Sequence, residues 1–183
     1  MAIPKTRIRN IVERLLKEGH VSSPAVPVEA LIKSQGIEVI KRRFDDDTSG
    51  FSFFDRKTQK NIIGLNSSHA PTRQRFTLAH ELGHILLHKN EAGGLHVDEH
   101  DIRFRFRDQR SAAGSDSHER EANAFAAELL MPKAFLQREE ILQDGLSISS
   151  ETAVRTLAKQ YGVSVHALSF RLLNLGLIDS ADF

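Results

Sequence analysis

The stretch that decides the fold is Thr77-Leu78-Ala79-His80-Glu81-Leu82-Gly83-His84-Ile85-Leu86-Leu87-His88, which sets two histidines and a glutamate into an otherwise apolar run. On a helix His80 and His84 lie four residues apart, so both rings leave one face about a turn apart and can reach a single metal ion. Glu81 stands beside that face, within reach of a water on the ion. With 9 His in the chain a chance H-E-x-x-H is expected about 3 times in 100, so the spacing alone is suggestive. Context adds weight. Leu78, Leu82, Ile85 and Leu86 read as the buried side of the helix, and imidazoles plus a carboxylate beside them are costly without a compensating partner.

Catalytic zinc sites usually combine three protein ligands with one open position. The chain has no cysteine, so any ligand set must be His and carboxylate. A third His six residues after the second is excluded, because that position is Asn90. His88 lies a further turn along, about 6 Å by helix rise, and reads as a helix-end residue. Glu119 in "HEREANAF" is the better third ligand, since it opens a second helix and is followed four residues later by Asn123 on the same face. Asn123 is then placed to orient a ligand imidazole through its other ring nitrogen. Glu121 is rotated by about 200° from Glu119 and reads as supporting. Asp116 and His118 stand as alternative ligands.

These two segments, "FTLAHELGHILLH" and "EREANAFAAELLMP", in this order and spacing, resemble the ImmA/IrrE family of zinc metallopeptidases. The resemblance runs from about Pro27 to Pro132, and more loosely through the tail. It implies a gluzincin-like site with one zinc ion on His80, His84 and Glu119, with Glu81 as the catalytic base. It also implies a cytoplasmic protein whose substrate is a protein, such as a helix-turn-helix repressor or antitoxin in stress response or prophage regulation. A metal-binding regulatory or toxin-antitoxin-like partner without peptidase activity is the alternative.

Outward from the motif, the fold class reads as α+β: a zincin-like core with a small, mostly antiparallel sheet, an active-site helix and a helical C-terminal tail. Ile8, Ile11, Val12, Leu15 and Leu16 fall at helical spacing after Pro4, which predicts a helix over 4–17. Val28 to Gln35 reads as a short helix stopped by Gly36. Strands are expected at 37–44, 49–56 and 60–66, with "DDDT" and "KTQK" as hairpin joints too short for a parallel crossover. Phe51, Phe53 and Ile62 are expected to alternate into the core. "SGFSFFD" or "IIGLN" can then offer a sheet edge to a peptide. Pro71 opens the motif helix, which runs to about Lys89. The section 90–117 reads as a long loop with one strand, "IRFRFRD", whose Arg103, Arg105 and Arg107 form a solvated face or a patch that binds an acidic substrate or regulator. Helices follow from Ser117, and at about 132–143, 150–161 and 165–175.

The chain of 183 residues reads as a catalytic unit over 1–145 and a helix-turn-helix-like tail over 146–183 packed on it. A net charge of +1 excludes a global field for nucleic acid or membrane. In the tail Arg155, Lys159 and Arg171 are balanced by Glu151, Asp179 and Asp182, so a DNA-binding module is poorly equipped to grip phosphates. An oxyanion donor stays unassigned: Tyr161 is the only tyrosine, and His69, His96 and His100 are loop histidines. No apolar run suits a membrane span or signal peptide.

Overall fold

Apolar residues at helical spacing after Pro4 produce α1 (Lys5–Glu18), which buries Ile8, Val12, Leu15 and Leu16. α2 (Val28–Ser34) buries Val28, Leu31 and Ile32 and is followed by Gly36 at φ 70°, a left-handed turn that glycine adopts without strain. The computed structural model describes residues 4–88, 117–143 and 151–178. The expected strand at 102–107 and the boundary at 145/146 lie outside them.

Three strands form one sheet: β1 (Glu38–Arg42), β2 (Gly50–Asp55) and β3 (Lys60–Asn66), in the order β1-β3-β2. β2 and β3 form the expected antiparallel hairpin, with Phe53 opposite Ile62 and Phe51 opposite Gly64. Asp55 shapes its turn by accepting from Lys57 N at 2.9 Å and Thr58 Oγ1 at 2.7 Å. β1 departs from expectation, because it pairs with β3 in parallel, Val39 beside Ile63, and the sheet is mixed. The "DDDT" joint is therefore no hairpin. The physical reason is that the link between the parallel partners is the whole of residues 43–59, β2 included, which is long enough for a crossover.

Asn66 holds that arrangement together. Its fully buried side chain donates to the carbonyls of Phe44, Asp45 and Thr48 and accepts from Phe44 N, Ser68 N and Ser68 Oγ. The loop leaving β1 is thus tied to the end of β3 and carried across to the far side. β3 takes the centre because Ile62, Ile63, Gly64 and Leu65 are all buried, a continuous run suited to cover on both faces. Ile63 and Leu65 face the helices, whereas Phe51 closes over Gly64 on the other face: a Cβ there would lie 2.4 Å from its ring. Phe51 and Phe53 are half-buried and stacked on each other at 6.2 Å, so they cover the outer face of the sheet and do not enter the main core.

α3 (Pro71–Leu87) lies against β2 and β3 on one side and α4 (Ser117–Leu130) on the other. After α4 come two short turns, α5 (Lys133–Leu136) and α6 (Glu140–Gln143), in place of one expected helix. Glu139, in the break between them, accepts the Tyr161 hydroxyl at 2.7 Å. α7 (Glu151–Tyr161) and α8 (Val165–Leu175) follow, joined by Gly162 at φ 65° and capped by Ser164, whose hydroxyl accepts from Ala167 N. Val154, Leu157, Tyr161, Leu168 and Leu172 join the same buried cluster as Leu78, Leu82 and Phe125. Arg75 of α3 reinforces this by donating to Gly162 O and Val26 O. Among the described residues no helix is long and apolar enough to cross a membrane.

Candidate metal centre

The motif helix differs from an ordinary amphipathic one: Thr77 through Gly83 are all buried. There is no solvent face over these residues, because sheet and α4 sandwich them. Glycine makes the sandwich close. A Cβ on Gly83 would lie 3.1 Å from Phe125 Cδ1 and 3.2 Å from Ala122 Cα, so α4 approaches α3 at the one motif position without a side chain. That approach carries Glu119, in the first turn of α4, to the two histidines.

His80 Nε2 lies 2.9 Å from His84 Nε2 and 3.3 Å from Glu119 Oε2, and His84 Nε2 lies 3.1 Å from Glu119 Oε1. These three side chains each offer one ligand atom, all within 4.8 Å of one another. Tetrahedral coordination at bond lengths of 2.0–2.1 Å sets ligand atoms roughly 3.3 Å apart, so the spacing suits an ion between them. Two imidazole nitrogens pointed at each other and at a carboxylate are what such an ion would hold together. Hydrogen bonds from His80 and then His84 keep the Glu119 carboxyl well below the usual carboxylate range, opposed by burial, so it is an anion.

Asn123 stands where expected, with Oδ1 3.0 Å from His80 Nδ1. A proton on Nδ1 donated to that oxygen leaves the Nε2 lone pair for the cluster. Glu81 is buried and accepts from Ser52 Oγ of β2 at 2.8 Å. Ser52 is a contact that sequence reasoning missed. Its signal was a single hydroxyl among the phenylalanines of "GFSFF", on the strand face directed at α3. Phe76, also missed, sets its ring 6.1 Å from that of His80.

The other expected residues fall elsewhere. His88 ends α3 with its ring 4.1 Å from that of His118, and its Nε2 is 3.7 Å from Glu121 Oε2. None of His88, His118 and Glu121 belongs to the group of His80, His84 and Glu119. Burial, then the neighbouring His118 and His84, push the His88 pKa down. His69 contacts Asp46 O through Nε2, in the loop beyond β1. Tyr161 is buried with its hydroxyl engaged by Glu139, and burial raises its pKa far above the usual value, so it is not an available oxyanion donor. Arg103, Arg105, Arg107, His96, His100 and Asp116 lie outside the described residues. β3 is central, so "IIGLN" offers no edge, while β2 is an outer strand of the sheet among the described residues.

Comparison with known proteins follows the same lines. Residues 32–173 match the peptidase family described as the IrrE N-terminal-like domain. An "uncharacterized immunity region protein 2" of Bacillus phage phi105 is 31% identical over 129 residues, covering 70% of this chain and 71% of that protein. A solved structure, described as a Mycobacterium tuberculosis transcriptional regulator, superposes over 91% of this chain with a TM-score of 0.61 at 16% identity. At that identity the likeness is one of fold. The chain spans 46% of that structure's length.

Proposed function

The chain belongs to the peptidase family described as the IrrE N-terminal-like domain, and on that premise we propose that it is a zinc-dependent endopeptidase acting on a protein substrate. The observation that carries this reading is the convergence of His80, His84 and Glu119 from two helices, with Glu81 held beside them by Ser52. The Nε2 atoms of the histidines and a Glu119 oxygen would hold the ion, and a two-imidazole, one-carboxylate set without cysteine suits zinc. Zinc bound there supplies a Lewis acid and makes water a nucleophile near neutral pH.

The remaining work belongs to the chain. Glu81 takes the proton of the attacking water and passes it to the departing amine. Ser52 donates to Oε2 and so leaves Oε1 as the basic atom. Asn123 fixes the His80 ring and its tautomer. β2, which carries Ser52, borders the sheet among the described residues, and the substrate segment is proposed to lie along it beside Glu81.

For the substrate class, the support is the name of the phage relative, an immunity region protein, and the regulator title of the similar structure. From these we read the substrate as a helix-turn-helix repressor or antitoxin, cleaved in the cytoplasm. A DNA-reading role for the tail has less behind it, because Arg171, the only cation of α8, is spent on Glu128 and on Met131 O. Incubation with helix-turn-helix proteins encoded nearby, with and without chelator, tests the reading. Glu81→Gln is expected to retain zinc and lose cleavage, while His80→Ala and Glu119→Ala lose the metal. Cleavage persisting in Glu81→Gln overturns the assigned base, and failure to take up zinc overturns the enzyme.

A further inference from the structure

Behind the metal centre, on the side of Asn123, a trough of about 520 Å³ runs between α1, α4 and α8. Lys5 and Arg9 line it from successive turns of α1, with Lys133 and Arg171 on the other elements, against a single carboxylate among the described residues, Glu128. Glu128 is already matched, by the Arg171 guanidinium and by Lys133 N at 3.1 Å. Arg9 Nε stands 3.9 Å from Glu128 Oε1, within ion-pair range, and this buried nitrogen has no hydrogen-bond partner. Three cationic side chains therefore face this trough in excess of acid. Its floor is apolar, and its rim carries Phe170, at 56% exposure the most exposed large apolar side chain among the described residues.

We propose that this trough is a docking site for an acidic peptide segment bearing an apolar anchor, supplied by a protein partner. Charge complementarity selects the occupant: carboxylates answer Lys5, Arg9 and Lys133, and an apolar side chain packs beside Phe170. A nucleic-acid backbone satisfies the cations and leaves the apolar floor unanswered. The cations are spread along two turns of α1 and across to Lys133, a span suited to a chain of acidic residues. The inner end of the trough is lined by Asn123 and Phe76, which also touch His80. An occupant thus lies directly against the residue that orients a proposed metal ligand.

The test reads binding alone, so its failure and failure of the peptidase reading are separate results. The probe is a short fluorescein-labelled peptide of Glu with Leu and Phe at helical spacing, titrated by anisotropy into the full chain carrying Glu81→Gln. Controls are the same peptide with Lys for Glu, and with Ser for Leu and Phe. Binding is expected for the first peptide only and is expected to weaken with salt. Lys5→Glu with Arg9→Gln, and separately Phe170→Ser, should each weaken it about tenfold or more. Lys5 and Phe170 are exposed, so an unchanged unfolding midpoint in Lys5→Glu and in Phe170→Ser shows that the fold is kept. Equal binding of the Lys peptide, or indifference to both sets of changes, overturns the proposal. Binding of dodecanoate, lost in the same variants, with no binding of the acidic peptide, assigns the trough to a small amphipathic anion and also overturns it.

Discussion

Asn123 and Ser52 are the residues whose roles a single substitution separates. Asn123 holds His80 from behind, so Asn123→Ala is expected to weaken zinc binding about 10- to 100-fold, the usual effect of losing a partner that orients a ligand imidazole. Titration against a competing chelator measures this, and an unchanged affinity would discard the assignment. Ser52 touches Glu81 and none of the metal group. Ser52→Ala should therefore leave zinc affinity intact and lower kcat, with KM little altered, and Ser52→Thr should restore part of the loss. His80, Glu81 and His84 were legible because helical periodicity alone puts them together. Ser52 was not, because only packing of β2 on α3 brings residues 52 and 81 within hydrogen-bond range.

The contact between α3 and α4 is the element-level determinant of the site. Gly83→Ala inserts a methyl group where Phe125 and Ala122 already stand at 3.1 to 3.2 Å, and both of those residues are fully buried. A destabilisation of about 1–3 kcal/mol is expected, as for overpacking generally. Zinc affinity should fall with it, because the helices that carry His84 and Glu119 are forced apart; urea denaturation and zinc titration of one sample test both. Asn66 does the equivalent service for the sheet. Asn66→Ala leaves several backbone groups of the loop after β1 without their partner and should cost about 3 kcal/mol or more. A change under about 0.5 kcal/mol would show that the loop holds itself. The parallel pairing of β1 was missed because each joint was judged alone, and its legibility in sequence is poor: strand order depends on which strand is covered on both faces.

At the scale of the molecule, metal binding and folding are expected to be coupled, since the three proposed ligands come from α3 and α4, separated in sequence by residues 88–116. Zinc in thousandfold excess over its dissociation constant is expected to stabilise the native state by about 4 kcal/mol. Scanning calorimetry should show this as a raised unfolding midpoint, abolished by chelator and absent in Glu119→Ala. A midpoint indifferent to zinc would mean that the cluster does not hold the ion. Arg75 joins the motif helix to the loop before α2 and to the turn between α7 and α8. Burial lowers its pKa, yet two carbonyls accept hydrogen bonds from its guanidinium, and Arg75→Ala should cost about 2 kcal/mol.

The chain by itself determined that α3 is a helix, that it presents His80, Glu81 and His84 on neighbouring positions, and that α4 begins at Ser117 with Glu119 in its first turn. Those are local matters, set by a period of 3.6 residues and by the identities of the side chains. Only the tertiary structure decided that Thr77 through Gly83 of α3 are all buried, that β1 runs parallel to β3, and that Ser52 reaches Glu81. It also decided that Glu119, and none of His88, His118 and Glu121, joins the two histidines in one group able to hold an ion. Each of these depends on contacts between residues far apart in the chain, which packing resolves and periodicity cannot.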